Sequence, residues 1–250
     1  MTDRVLLLKT VASSCLAYHD FRWPGQIGAV VEAPDWNPDP TIECGRGLHA
    51  LLWGEGDGRL LHWEPDATWR VLSADPADIV PSVSGDKVRC RRVRQEYVGD
   101  RLGATAMILA VRPQAVCVGA TVTGGYGAMV TGGYRATVTG GDRARVTGGY
   151  GATVTGGYEA TVTGGDGAMV TGGDGAMVTG GYGAMVTGGA GATVTGGAGA
   201  TVTGGAGANL ILRWWDGDRG RLAVAYVGEQ GIAAATAYRL DTAHQFVPVA

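Results

Sequence analysis

Between Gly119 and Ala206 the hydrophobic positions recur with a period of eight. Each copy follows the pattern x-Ala-x-Val-Thr-Gly-Gly-x, with Gly first in eight of the eleven copies, which run without a gap. Alternate side chains of a strand fall on opposite faces. Ala120 and Val122 therefore share one face, and Thr121 and Thr123 share the other. Ala and Val hold in all eleven copies, while the third position drifts among Thr, Met and Arg. A constant small apolar pair predicts the interior, formed by Ala120, Val122, Ala152, Val154, Ala184, Val186 and their equivalents. The threonines are predicted outside. The Gly-Gly pair that follows, with Tyr, Asp or Ala and then usually Gly, reads as turn chemistry, since glycine reaches positive φ without steric cost. Eight residues hold one strand and one turn, and a closed coil needs at least two turns. The pattern thus predicts two octapeptides per 16-residue coil and a two-sheeted parallel β-solenoid. Its eleven copies make about five and a half coils, which at ~4.8 Å per coil give a rod about 26 Å long.

Stacking is obligatory. Ordering one residue's backbone costs roughly 1–2 kcal/mol, and burying a Val returns only about 1.5–3 kcal/mol. A lone octapeptide cannot fold, and an array of them needs covered ends. A decayed twelfth copy, Gly207 to Trp214, follows the repeats. Leu210, Leu212 and Trp214 or Trp215 are expected to seal the last coil. Leu210–Trp215, Leu222–Val227, Thr236–Leu240 and Gln245–Val249 read as four short strands of a small β-meander.

The stretch before the repeats has ordinary composition and carries five of the seven Trp. Val5–Leu8 and Thr68–Ser73 read as strands, Leu48–Trp53 as a short helix and Pro76–Ile79 as a helical turn. Lys87–Arg94 alternates as a strand with its charges toward solvent. Ala104–Val111 reads as an apolar strand, and Ala115–Val118 as an irregular first rung. The expected organisation is mostly β: an α+β domain over 1–112, the solenoid over 113–208 and a β cap over 209–250.

Glycine accounts for 45 of 250 residues, and 30 of these lie in the repeats, so the excess belongs to the solenoid rather than to disorder. The net charge of −3 argues against a nucleic-acid-binding face. No apolar run approaches the ~20 residues of a membrane span, and Val5–Leu8 is too short for a signal-peptide core. Cys15, Cys44, Cys90 and Cys117 are scattered like reduced thiols. The expectation is a cytoplasmic protein with no membrane or nucleic-acid partner and no cofactor.

Four segments carry a resemblance: Phe21-Arg-Trp-Pro24, Glu32-Ala-Pro-Asp-Trp36, Glu43-Cys-Gly-Arg-Gly-Leu-His-Ala50 and the ending Ala237-Tyr-Arg-Leu240. They resemble an uncharacterised bacterial and phage family in which a Cys-x-x-Gly-(Phe/Leu)-His-Ala domain precedes tandem octapeptides and a short β tail. That resemblance implies an architecture and no activity. The repeat alone resembles the coil of bacterial ice-nucleation proteins, in which two octapeptides with Thr-x-Thr strands make one coil. Those arrays are far longer and more regular.

Several constellations are candidates for function. With two copies per coil, odd copies share a face that presents Thr121, Thr123, Thr137, Thr139, Thr153 and Thr155 as a contiguous Thr-x-Thr patch. That patch suits ice or another ordered ligand, against the plainer reading that Thr is a good exposed strand residue. Tyr126, Tyr134, Tyr150, Tyr158 and Tyr182 fall in turn columns and suit an interface, or simply cap the turns with Asp–Tyr hydrogen bonds. Asp142, Asp166 and Asp174 are too few, and the period is wrong, for a calcium solenoid. Cys15 with His19 and Cys44 with His49 carry zinc-ligand types at loose spacing. His49 also suits a remnant of a transferase pocket, and Arg89, Arg91, Arg92 and Arg94 suit a solvated face or an anion site. No catalytic, metal or cofactor residue is assigned. The leading reading is a non-enzymatic display or interaction module that self-associates or meets a protein partner. The alternatives are an ice-binding or ice-nucleation-like protein and a transferase-like enzyme in the N-terminal domain.

Overall fold

Consecutive octapeptides alternate between two parallel sheets of a β-solenoid. In the computed structural model, which describes residues 4–15, 21–43 and 46–249, the chain divides into two compact units, Met1–Ala120 and Thr121–Ala250. Residues 113–120 thus belong with the N-terminal unit, and 209–250 belong with the repeats. Odd copies stack as Thr121–Thr123, Thr137–Thr139, Thr153–Thr155, Met169–Gly172, Met185–Gly188 and Thr201–Gly204. Even copies stack from Met129–Gly132 to Asn209–Trp215. Each strand pairs in parallel with the strand sixteen residues on, as in Val138↔Val154 and Val146↔Val162. Inside, Ala136 to Ala208 and Val138 to Val202 are 1% exposed or less.

The turn glycines divide between two kinds of work. Positive φ falls on the first position of each copy, at +62 to +70° for its glycines and +52 to +57° for Arg135, Arg143 and Glu159. The Gly-Gly pair is there for space. A Cβ on Gly140 would sit 2.4 Å from Val146 Cγ2 inside the coil, and one on Gly141 would sit 2.8 Å from the Gly125 backbone of the coil before. Gly125, in the first copy, has no atom within 4 Å of such a Cβ. Coils stack at strand spacing through their turns only because both positions lack a side chain. Gly127→Ala, strained in φ but in open space, should cost roughly 1 kcal/mol. Gly141→Ala, which pushes two coils apart, should cost on the order of 3 kcal/mol. Thermal melts of the two variants check the order; a larger loss for Gly127→Ala would contradict it.

The last coil is covered by two hairpins rather than by one meander. Asn209–Trp215 begins as the twelfth parallel strand, Asn209↔Thr193, and then pairs antiparallel with Gly220–Tyr226. Ala237–Leu240 pairs antiparallel with Thr201–Gly204 on the other sheet and carries Phe246–Pro248 on its outer edge. Leu210 and Leu212 are 0% and 1% exposed, inside the last coil. The cover over them consists of buried Val227 and Tyr238 with Ile232, Leu240 and Phe246 packed alongside. Trp214 stacks on His244 at 3.6 Å. Trp215 has the opposite strand parity and is 65% exposed, so it seals nothing.

In the N-terminal unit, one antiparallel sheet has the order β2-β7-β4-β1-β3-β6-β5. Its strands are β1 (Val5–Val11), β2 (Val30–Glu32), β3 (Leu48–Leu52), β4 (Thr68–Ala74), β5 (Ile79–Pro81), β6 (Val88–Cys90) and β7 (Arg92–Gly99). The segment expected as a helix from Leu48 is β3, whose Leu48, Ala50 and Leu51 are buried on both faces of the sheet. The expected strand at Ala104–Val111 is instead helix α1 (Arg101–Val111), started by Asp100, whose carboxylate accepts from Gly103 N at 2.7 Å. It packs Ala104, Thr105 and Ile108 inward and contacts β1, β4 and β7. Lys87–Arg94 divides into two strands, and Arg89 is fully buried rather than solvated.

Two buried arginines hold the aromatic, proline-rich loops. Arg70 donates to Pro24 O at 2.6 Å and to Gln95 Oε1, while Gln95 Nε2 donates to Pro24 O and Gln26 O. Arg89 donates to Asn37 O at 3.0 Å and Asp39 O at 2.6 Å. Phe21-Arg-Trp-Pro24 and the loop over residues 33–40 are thereby each fastened to the sheet by a guanidinium with no carboxylate partner among the described residues.

Candidate functional site

The odd face of the solenoid carries the Thr-x-Thr array. Val points inward, so its two neighbours must point outward, and the parallel register puts like on like. Thr121, Thr137 and Thr153 form one column, and Thr123, Thr139 and Thr155 the next. The second column continues through Thr171, Thr187 and Thr203, while the first is interrupted by Met169 and Met185 before Thr201. Neighbouring coils lie about 4.8 Å apart and the two columns about 6.6 Å apart, the spacings of strand stacking and of a two-residue rise. Thr121, Thr123, Thr153 and Thr155 are exposed, and Thr137 and Thr139 half-buried. Among the described residues, none of these six hydroxyls has a hydrogen-bond partner within the protein. Each turns a hydroxyl and a methyl group to solvent from a side chain with few rotamers. A regular array of hydroxyl and methyl groups in register can position water against the face.

The even face offers a poorer lattice. Its third positions read Met129, Arg145, Thr161, Met177 and Thr193, although its fifth positions are also threonine as far as Ile211. Met129 is 83% exposed. Long flexible side chains at three of these five rungs interrupt the column of hydroxyls.

The turn columns serve the stack. Asp142, Asp166 and Asp174 each accept the backbone N–H sixteen residues on, from Tyr158, Tyr182 and Ala190 at 2.7–2.8 Å. Arg143 bridges Glu159 at 2.8 Å and the Tyr126 hydroxyl at 2.9 Å. The Tyr158 hydroxyl and then Arg143 hold the Glu159 carboxyl below its ordinary range. Tyr134 and Tyr150 stack at 5.3 Å with planes 10° apart. Tyr126, Tyr150, Tyr158 and Tyr182 stay exposed.

In the N-terminal unit, His19 and Cys44 of the zinc reading lie outside the described residues. Cys15 Sγ accepts from Arg70 at 3.3 Å. His49 lines a cavity of about 590 Å³ together with Lys9, Trp23 and Arg46. Burial pushes the Cys90 and Cys117 thiols up to about 12, which makes them poor nucleophiles. Of the arginine cluster, Arg92 and Arg94 are about half exposed and lie near Asp78 and Glu96. Sequence reasoning missed the structural parts played by Arg70, Arg89 and Gln95.

No family model matches the chain, and no solved structure matches it. Curated relatives match over the repeat region. An ice nucleation protein of Pseudomonas syringae is 32% identical over 108 residues, covering 43% of this chain and 9% of the relative. One from Pseudomonas fluorescens is 31% identical over 107 residues, 43% of this chain and 8% of the relative. Ice nucleation protein InaU of Pantoea ananas is 29% identical over 114 residues, 46% and 11%. The chain therefore spans about a tenth of the length of the curated relatives it matches.

Proposed function

We propose that this chain binds ice through the odd face of its solenoid, as a short, non-enzymatic counterpart of the ice-nucleation arrays its repeats are similar to. The observation that carries this reading is the unbroken column of six threonines, Thr123 to Thr203, doubled by Thr121, Thr137 and Thr153 on three adjacent coils. Hydroxyls fixed at coil spacing order water before ice arrives, so the ordering cost is met by the fold rather than at the moment of binding. The relatives' repeats support the same reading. Array size sets the activity expected of it. A critical ice nucleus grows as supercooling lessens, and six coils cover only about 24 Å, so a single rod adsorbs to existing ice and nucleates it only in deep cold. The N-terminal unit, with Gly47-Leu48-His49-Ala50, is proposed to be the domain that precedes octapeptides in the uncharacterised family it resembles.

Recrystallisation in a frozen sucrose film tests the reading. The full chain is expected to hold grain size constant. Thr139→Lys/Thr155→Lys should lose most of that effect, while Thr147→Lys/Thr163→Lys on the even face should keep it. Each pair joins one half-buried outward position, Thr139 or Thr147, to one exposed position, Thr155 or Thr163, so the two variants are matched in burial. Surface changes of this kind cost about 0.5 kcal/mol, and a circular dichroism melt of each checks that both stay folded. Equal effects from the two pairs would overturn the assignment of the odd face.

A further inference from the structure

The cavity of about 590 Å³ in the N-terminal unit has a definite construction. Phe21 and Trp23 meet edge to face at 5.5 Å and form an aromatic wall. The loop that carries them is fastened by Arg70, and the loop carrying Asp35, which also lines the cavity, is fastened by Arg89. Both arginines are fully buried; Arg89 donates to backbone carbonyls, and Arg70 to Pro24 O, Gln95 Oε1 and Cys15 Sγ. Lys9, from the centre of the sheet, brings its ammonium to the cavity. It donates to His49 O at 3.0 Å and lies 5.3 Å from the centre of the Trp23 ring. No second acceptor for it is found among the described residues. Arg46 and Lys87 add positive charge to the lining, against Asp35 alone.

From this arrangement we propose that the cavity is a binding site for a small anion with a flat apolar body, such as an aryl carboxylate or sulfonate. The apolar body lies along Phe21 and Trp23, and the anionic group meets Lys9 with Arg46 at the rim. An acceptor there supplies the hydrogen bonds that the Lys9 ammonium lacks. Burial, followed by the nearby Arg70 guanidinium, pulls Lys9 down to about 8, with Cys90 acting weakly the other way. A bound anion reverses that pull, and affinity therefore falls as the pH rises through about 8. Arg70 of β4, Cys90 of β6, His49 of β3, and Asp35, Arg46 and Lys87 around the lining are the titratable and charged groups that face this end of Lys9. The site is separate from the threonine face and does not depend on it.

The probe is 1-anilinonaphthalene-8-sulfonate, with uncharged N-phenyl-1-naphthylamine as its control, titrated by fluorescence into the full chain. One saturable site for the sulfonate is expected, weakened about tenfold or more by Lys9→Met and about threefold by Arg46→Gln, as for loss of charged hydrogen bonds. The neutral dye should change less than twofold. Arg46 is exposed, so its variant stays informative even where Lys9→Met fails to fold. Absence of a saturable site, or sulfonate affinity unchanged by Arg46→Gln and flat between pH 7 and 9, would overturn the proposal.

Discussion

Val154→Asp is expected to remove the cooperative unfolding transition of the solenoid at neutral pH. Val154 is 0% exposed and lies between Val138 and Val170 in the stacked register. The substitution forfeits about 1.5–3 kcal/mol of apolar burial. It also places a carboxylate in a core of Ala and Val with nothing to pair it, at a further cost of several kcal/mol. A solenoid coil contacts only its neighbours, so a coil that cannot close splits the stack in two. The damage should lessen as pH falls, because burial raises the new carboxyl's pKa and the folded state then favours its neutral form. Thr155→Asp, one residue on and exposed, should shift the melt by less than about 1 kcal/mol. Circular dichroism melts of both variants at pH 7 and pH 4 measure the contrast. Comparable melts at neutral pH would contradict the inward register of Val.

Removing residues 216–250 should turn a discrete species into end-to-end assemblies that keep their β content. Gly220–Tyr226 and Ala237–Leu240 each complete the last strand of one sheet. Val227 N donates to Ala208 O at 2.9 Å, and Ala235 N donates to Gly204 O at 2.9 Å, which satisfies carbonyls the last coil would otherwise leave open. Val227 and Tyr238 close the apolar bore over Leu210 and Leu212. Without them the rod presents two unpaired edges and an open core, which template pairing with a second rod. Sedimentation and electron microscopy of the shortened chain are expected to show particles many coils long. A shortened chain that remains monomeric and folded would mean that these hairpins are not what keeps the rods apart.

The solenoid was legible because each of its parts repeats. A strand of three or four residues is a weak signal alone, but eleven copies of Ala-x-Val-Thr average out everything except the inside/outside alternation and the coil count. The role of the Gly-Gly pair was not legible. Its reason is the distance to the previous coil at Gly141 and to Val146 at Gly140, which no local pattern carries. The left-handed position lies within the expected turn, at the first residue of each copy, where Arg135, Arg143 and Glu159 adopt it without being glycine. Elsewhere the chain does not repeat, and tertiary context decides. Ala104–Val111 is apolar enough for a strand, but Asp100 caps it as a helix. Arg70 and Arg89 look like solvent-facing strand charges. Both lie in strands covered on each side, and the loops they fasten come from 46 and 52 residues away. The threonine face followed from the repeat, whereas the Lys9 cavity needed six separate segments brought together.

Adsorption of the full chain to a slowly growing ice hemisphere reads ice binding by the odd face without an intermediate step. The protein fraction recovered from the ice is compared with that left in the liquid, for the native chain and for the two double variants. The native chain and Thr147→Lys/Thr163→Lys are expected to be enriched in the ice, and Thr139→Lys/Thr155→Lys to stay in the liquid. Exclusion of the native chain from the ice, or enrichment of all three alike, would contradict ice binding by the odd face.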